Sequence, residues 1–137
     1  MKLNPYLAFK GNCEQAMRFY EDVLGGKILM MMRFNEAPPG EFPITDEIKD
    51  LVMHCTLEFN GLTIFASDNM QCNPGNNFSL SINADDDEQA IKFFDSLLEG
   101  DGKTIMPFEN VFWGGKFGML EDQFGIQWMI STDHKPV

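Results

Sequence analysis

Short apolar runs and longer segments with helical periodicity follow one another along the chain in an order that occurs twice. Residues 5–9 predict a first strand. The next segment predicts a helix, with Asn12 as its cap and Gln15 as a weak capping-box partner. Gly25-Gly26 is predicted to end this helix, since glycine accepts the left-handed backbone of a helix terminus. The apolar residues that recur there at helical spacing are Cys13, Ala16, Met17, Tyr20, Val23 and Leu24.

The first half continues with three predicted strands and one long loop. Residues 27–34 predict the second strand, and residues 35–50, rich in proline, glycine and acids, predict the loop. Residues 53–59 and 62–67 predict a hairpin around Asn60-Gly61, because this dipeptide suits a two-residue turn with positive φ at both positions.

The second half repeats this order. Residues 78–83 predict a strand, and the acids of residues 85–88 predict the positive end of a helix. Strands are predicted at 103–109, 117–122 and 126–132, with a glycine-aromatic loop at 112–115. The predicted apolar stripe of the second helix is Ala90, Ile91, Phe94, Leu97 and Leu98. The chain is therefore predicted to be one α+β domain, 1–137, built from two βαβββ modules at about 3–68 and 76–132.

Strand alternation predicts which side chains face the helices and which face a cavity. In the fifth strand Phe78, Leu80 and Ile82 are predicted to cover the core, with the small polar residues Asn77, Ser79, Ser81 and Asn83 on the other face. In the last strand Trp128 and Ile130 are predicted to face the core, leaving Gln127, Met129 and Ser131 on the cavity side.

The Asn60-Gly61 turn fixes the register of the first hairpin. It pairs Phe59 with Leu62, Leu57 with Ile64, and Cys55 with Ala66 on the core face. The opposite face pairs Glu58 with Thr63, Thr56 with Phe65, and His54 with Ser67. We therefore expect His54 and Ser67 to lie side by side, facing the cavity.

The charge and the cysteine content of the chain exclude some classes of binding partner. The net charge of −11 argues against nucleic acid and anionic membranes, which select basic surfaces. Three cysteines at irregular spacing do not form a disulfide framework. Cys72, in a polar stretch, is either a reactive thiol or an inert loop residue. Without a signal peptide or a long apolar run, we expect a cytoplasmic protein.

Few residues suggest chemistry. His54 faces the predicted cavity as a ligand-binding group or base, or else is a structural histidine; His134 lies in a polar tail. Glu58 and Glu109 are either bases or solvated acids at strand ends. Asp68 follows a strand, where a turn explains it as well as a function does. We predict no metal site and no catalytic triad.

Several segments resemble one known superfamily. Residues 4–9 and the Phe-Tyr-Glu-Asp-Val-Leu-Gly-Gly segment at 19–26 resemble the opening of vicinal oxygen chelate proteins, which include glyoxalase I, bleomycin-resistance proteins and extradiol dioxygenases. Residues 53–54, 66–68, 112–114 and 117–128 are similar to its PhnB-like branch, the 3-demethylubiquinone methyltransferase-like domains. The Trp-Gly pair and the Asp-x-Phe-Gly-x-x-Trp segment are the most specific of these.

The resemblance implies two βαβββ modules whose mixed sheets form a cup, in a homodimer. It also implies a divalent metal held by one residue on each of four strands, at positions that correspond to Pro5, Phe65, Asn77 and Met129. None of these supplies a carboxylate or an imidazole, so this chain departs from the family pattern and we expect no cofactor. The sequence also has no glycine-rich nucleotide-binding loop after a strand, so it gives no support for methyl transfer.

We therefore predict metal-independent binding of a small, partly apolar organic molecule. The alternatives are a glyoxalase-like enzyme of lyase, isomerase or dioxygenase type, using His54 as base or an unusual metal site, and a structural dimer module. Loop 112–115 is expected to form an aromatic rim and residues 35–50 a lid, unless Phe65 and Met129 plug the cup. The predicted ligand-binding residues are His54, Phe65, Ser67, Asn77, Ser79, Trp113 and Met129.

Overall fold

A computed structural model describes residues 1–40 and 43–133. The chain divides into two compact units, Met1–Asn73 and Pro74–Val137. Each unit contains one four-stranded mixed sheet and one α-helix, so the predicted α+β class is confirmed. The assignment of the whole chain to a single domain stays a prediction. Within the described residues, no helix is long and apolar enough to cross a membrane.

The first unit has the predicted element order. Its strands lie side by side as β1-β4-β3-β2, with β1 parallel to β4 and the other neighbours antiparallel. A single 3₁₀ turn, Phe34–Glu36, follows β2, which ends one residue earlier than predicted. The elements are β1 (Tyr6–Phe9), α1 (Cys13–Leu24), β2 (Lys27–Arg33), β3 (Val52–Phe59) and β4 (Leu62–Asp68).

The register predicted for the first hairpin is confirmed. The turn residues Asn60 and Gly61 both have positive φ, 49° and 76°, as a type I′ turn requires. Every pair from Cys55–Ala66 to Phe59–Leu62 forms as expected. Leu62 nevertheless stays exposed at the first position of β4, next to the turn.

The start of α1 differs from the prediction. Asn12 makes no side-chain capping bond. The carboxylate of Asp68, the last residue of β4, takes its place: one oxygen, Oδ1, accepts hydrogen bonds from the backbone N–H groups of Gly11 and Cys13, each at 2.9 Å. The helix end is as predicted, with Gly25 in the left-handed conformation.

The second unit repeats this topology, with the strand order β5-β8-β7-β6. Again the first strand runs parallel to the last one, and the remaining neighbours are antiparallel. The elements are β5 (Leu80–Ala84), α2 (Asp87–Leu97), β6 (Lys103–Asn110), β7 (Lys116–Glu121) and β8 (Gln127–Thr132).

Two core predictions for this unit are wrong. Phe78 precedes β5 and is exposed, because the strand begins only at Leu80. Ile91 is 43% exposed, since α2 rests on the sheet through Ala90, Phe94 and Leu97 and turns Ile91 toward the outer strand β6. The acidic helix start is confirmed: the side chain of Asp86 accepts a hydrogen bond from the backbone N–H of Gln89.

A bulge in β6 brings that strand close to Gly118 of β7. Between the pairs Met106–Met119 and Glu109–Phe117, two residues of β6 stand opposite the single residue Gly118. A Cβ atom at Gly118 would lie 2.7 Å from Cε2 of Phe94 and 2.9 Å from Cα of Phe108. Only glycine therefore fits between helix and bulge at this point.

Candidate functional site

In the first unit, one face of the sheet packs on α1 and the other does not. On the helix side Cys55, Leu57, Ile64 and Ala66 are buried. On the open face, strand pairing aligns one residue from each strand in a row: Tyr6, Phe65, Thr56 and Met30. Because side chains alternate along a strand, His54 lies on the same face as this row.

His54 contacts three members of this face. Its Nδ1 atom lies 3.4 Å from the hydroxyl of Tyr6, and its Nε2 atom lies 3.2 Å from the hydroxyl of Thr56. The ring centroids of His54 and Phe65 are 5.3 Å apart, and those of Tyr6 and His54 are 5.9 Å apart. We call Tyr6, His54, Thr56 and Phe65 the His54 cluster.

The His54 cluster combines apolar ring surface with adaptable hydrogen-bonding groups. A neutral imidazole donates through one nitrogen and accepts through the other, while each hydroxyl can do either. The hydroxyls of Tyr6 and Thr56 therefore satisfy His54 in both tautomers. The half-buried His54 and Phe65 rings lie next to Tyr6, which is 54% exposed. Such a surface suits a flat, partly apolar ligand.

The thiols of the first unit are poor candidates for chemistry. Cys13 and Cys55 are fully buried and unpaired. Burial raises the pKa of Cys55 to about 11. Burial also raises the pKa of Cys13, and the nearby Asp68 carboxylate adds to this effect. Both thiols therefore stay protonated at neutral pH and act as small core residues. Cys72 is half-buried and unpaired.

The predicted binding residues are divided between the two units. His54, Phe65 and Ser67 belong to the first unit, and Ser67 pairs with Ala8 on β1. Met129 of β8 pairs with Ser81 and Met119. Asn77 and Ser79 were predicted to lie on the cavity face of the fifth strand, but both precede β5, which begins at Leu80.

Trp113 lies in the predicted aromatic loop, which is the turn between β6 and β7. Its ring packs edge-on against Phe112, with centroids 4.8 Å apart, and against Phe117 at 6.0 Å. Trp113 is 58% exposed, so the loop presents aromatic surface as expected. Its role as the rim of a site stays a prediction.

The four positions at which the family would hold a metal do not fit one. Phe65 lies on β4 and Met129 on β8, whereas Pro5 and Asn77 precede the first strands of their units. Pro5, Phe65 and Met129 offer no carboxylate or imidazole, and Asn77 offers only an amide oxygen, so the set lacks the charged oxygen or imidazole donors that divalent cations favour. Elsewhere in residues 1–40 and 43–133, no three His, Cys, Asp or Glu side chains come together as a metal site would need.

The acids that were candidate bases are explained by their surroundings without a catalytic role. Glu58 and Glu109 are exposed strand residues, which fits solvated acids. Asp68 is buried and holds backbone N–H groups, including that of Val52 at 2.9 Å, so its role is structural. His134 lies outside the described residues.

The long loop after β2 is tied at its base. The backbone N–H of Phe34 donates to the carbonyl of Leu51, and that of Asn35 donates to Lys49. The guanidinium of Arg33 donates to the carbonyl of Asp50 at 3.0 Å. The two ends of the loop are therefore held together, and its action as a lid stays a prediction.

Sequence reasoning did not include Tyr6 and Thr56 among the site residues. Both had a usable signal. Thr56 shares its predicted face with Phe65, and Tyr6 alternates with the core residues Leu7 and Phe9. The contact between Tyr6 and His54 joins residues 48 positions apart, which no local pattern reveals.

Comparison with protein families gives one match over nearly the whole chain. Residues 1–131 match the family described as 3-demethylubiquinone-9 3-methyltransferase. Protein YjdN of Escherichia coli K12 is 31% identical over 146 aligned positions, which cover 96% of this chain and 95% of YjdN.

Solved structures give the same picture. Protein PA1353 of Pseudomonas aeruginosa has a TM-score of 0.86 and 35% identity, covering 98% of this chain and 99% of its own. The Bacillus cereus PhnB protein, named a putative 3-demethylubiquinone-9 3-methyltransferase, has a TM-score of 0.78 and 26% identity, covering 96% and 99%. A glyoxylase/bleomycin resistance protein/dioxygenase domain from Frankia shares the fold, with a TM-score of 0.68, 14% identity and coverage of 98% of each chain.

Proposed function

We propose that this protein binds a small, partly apolar organic molecule without a metal ion. The chain belongs to the 3-demethylubiquinone-9 3-methyltransferase family, which is the PhnB-like branch of the glyoxalase and bleomycin-resistance superfamily. The observation that carries this proposal is the His54 cluster on the open face of the first sheet. We propose binding only, and we do not propose the methyl transfer that the family description names.

The composition of the cluster supports binding of a flat ring. The centroids of Tyr6 and Phe65 are 6.2 Å apart, and His54 lies within 6 Å of both rings. Aromatic surface of this kind favours offset or edge-on packing of a further ring. The hydroxyl of Thr56 and the imidazole of His54 then supply a few oriented polar groups, as small-molecule sites do.

Metal independence is proposed from the donor chemistry at the four family positions. The side chains of Pro5, Phe65 and Met129 are apolar, and Asn77 offers only a neutral amide oxygen. The thioether of Met129 is a soft ligand that suits copper(I) rather than zinc, nickel or manganese. We expect protein dialysed without chelator to hold far less than one equivalent of zinc, nickel, manganese or iron. One retained equivalent of any of these, measured by mass spectrometry of the metals, overturns this part of the proposal.

A titration with 2-naphthol tests the binding site. This neutral, flat probe carries one hydroxyl, and its fluorescence reports transfer to an apolar surface. We expect Phe65→Ala to weaken its binding by about three- to tenfold, the equivalent of one aromatic contact. Phe112→Ala, which removes an exposed ring of the second unit, is the matched control and should change nothing. Equal affinities for the wild type and Phe65→Ala contradict the site.

The enzyme alternative would use His54 as a base. Both of its ring nitrogens lie near hydroxyl groups, so a substrate would have to displace Tyr6 or Thr56 before it could give a proton to His54. Binding requires no such displacement, and for this reason we place it first.

We also propose a homodimer, with a cytoplasmic location remaining a prediction from the sequence. The support is apolar side chains left exposed on the outer strands β2 and β6, namely Leu29, Met30, Ile105 and Met106. Twofold pairing is the commonest way in which such surfaces are covered. Light scattering should give twice the chain mass at micromolar concentration, and a monomer mass would contradict the proposal.

A further inference from the structure

In the second unit a cleft separates helix α2 from the outer strand β6. Its volume is about 360 Å³, which lies at the small end of the roughly 300–1,000 Å³ typical of ligand pockets. Helix α2 contributes Ile91, Phe94 and Asp95 to its wall, and the residue that follows the helix, Leu98, extends it. This α2 cleft lies on the helix side of its sheet and shares no residue with the His54 cluster.

The bulge in β6 forms the apolar floor of the α2 cleft. Pro107 and Phe108 are the two residues that stand opposite Gly118, and both line the cleft. The rings of Phe94 and Phe108 lie 6.0 Å apart at an interplanar angle of 39°. Because Gly118 carries no side chain, these two rings meet directly above the sheet.

In the first unit an ion pair joins the helix to the outer strand. There Glu14 of α1 binds Arg33 of the outer strand β2, with 2.8 Å between Oε1 and Nη2. In the second unit the ion pair runs instead from Asp87 of α2 to Lys116 of β7, with 3.5 Å between Oδ2 and Nζ. This ion pair thus ties the helix to the inner strand β7, and α2 meets β6 at the bulge through the rings of Phe94 and Phe108.

The charges around the α2 cleft favour a cation. Lys116 lines the cleft, but its ammonium is already paired with Asp87. Asp95 also lines it and has no ion-pair partner among the residues the structure describes. Phe94 and Phe108 also line the cleft, and the faces of phenyl rings attract positive charge. The net charge of −11 adds a long-range attraction of the same sign.

We propose that the α2 cleft is a second binding site, which takes a small organic ammonium ion with an apolar body. The apolar part lies against Phe94, Phe108 and Ile91, and the ammonium group lies beside Asp95. This site accounts for the exposure of Ile91, which lies at the mouth of the cleft instead of in the core.

Three probes of similar size and different charge test this site on the full chain: 2-phenylethylammonium, 2-phenylethanol and 3-phenylpropanoate. Proton–nitrogen correlation spectra report which backbone amides each probe shifts. We expect the ammonium ion to bind most tightly, the alcohol less and the carboxylate least, with shifted amides in α2 and β6. High salt should narrow these differences, since it screens exposed charges.

Two variants separate charge from shape. Asp95→Asn should weaken binding of the ammonium ion by about two- to fivefold, the effect of one exposed ion pair, and leave binding of the alcohol unchanged. Asp101→Asn, an exposed acid outside the cleft, is the control. Ile91→Trp fills the mouth from an exposed position and should abolish binding of all three probes.

The proposal is overturned by equal affinity for the ammonium and carboxylate probes, by shifted amides confined to other elements, or by no shift at millimolar concentration. His54→Phe should leave the titration unchanged. Loss of ammonium binding in that variant would assign the probe to the first unit and also reject the α2 cleft.

Discussion

Asp68 and Thr132 occupy the same position in the two units and perform the same task with different chemistry. Each ends the strand that pairs in parallel with the first strand of its unit. Asp68 accepts hydrogen bonds from Cys13 at the start of α1 and from Val52 at the start of β3. Thr132 donates to the side chain of Asp87 at the start of α2 and accepts from the backbone of Lys116 at the start of β7.

Replacement of Asp68 should therefore destabilise the first unit strongly. In Asp68→Asn an amide NH₂ group replaces one carboxylate oxygen, so at least one buried backbone N–H loses its acceptor. We expect the free energy of unfolding to fall by about 2–3 kcal/mol, measured by urea denaturation. Thr132→Val should cost about 1–2 kcal/mol, because neutral hydrogen bonds are lost there. Asp46→Asn, at a fully exposed carboxylate, is the control, and an equal loss in this variant would refute the assignment.

Gly118 tests the close approach of β6 to α2. Gly118→Ala places a Cβ atom within 3 Å of both Phe94 and the backbone of Phe108. Backbone cannot move aside as a flexible side chain does, so we expect a loss of about 1–3 kcal/mol in thermal or urea unfolding. The matched variant Gly75→Ala meets its nearest atom only at 3.8 Å and should be neutral. A neutral Gly118→Ala would show that helix and bulge are further apart than described.

The ion pairs of Glu14 predict a pH dependence of stability. Hydrogen bonds from Arg33 and then Arg18 lower the pKa of Glu14 from its ordinary value of 4.5. A carboxyl group with a lowered folded-state pKa adds stability above its unfolded pKa and loses it as the pH falls through the folded pKa. Because the side chain is 37% exposed, solvent screening keeps this contribution near 0.5 kcal/mol, an order-of-magnitude estimate of about the size of an exposed pair.

Glu14→Gln should accordingly lower the free energy of unfolding at neutral pH, and the difference from the wild type should be smaller at about pH 3, because the lowered pKa of Glu14 lets the ion pairs weaken only in acid. Urea denaturation at both pH values measures it. Glu47→Gln, at an exposed loop acid, should show no such trend. A difference that grows as the pH falls would have the wrong sign for a lowered pKa.

The two contacts of His54 can be separated by nitrogen NMR of the imidazole. Tyr6→Phe removes the hydroxyl beside Nδ1, and Thr56→Val removes the hydroxyl beside Nε2. Each variant should therefore move the chemical shift of its own nitrogen more than that of the other one. Ser81→Ala, on the sheet of the second unit, serves as the control. Equal shifts of both nitrogens in either variant would argue against two separate hydrogen bonds.

Local rules were enough for the element order and for the first hairpin. The Asn60-Gly61 turn permits one register, and that register determined the faces of His54, Thr56 and Phe65. Local rules failed where a residue that is distant in the sequence determines the local structure. Asp68, far along the chain, takes the role predicted for Asn12. The apolar alternation already begins at Phe78, two residues before β5 starts at Leu80, because periodicity alone does not show where strand pairing starts.

The segment at residues 122–128, which looked most specific to the family, is explained by one buried carboxylate. Asp122 accepts hydrogen bonds from the backbone N–H groups of Phe124 and Ile126 and from Nε1 of Trp128, at 2.8, 3.0 and 2.8 Å. These bonds hold the turn between β7 and β8 and orient a core tryptophan. The signature is therefore a way of closing a hairpin, and a protein that carries it can change its ligand preference without altering it.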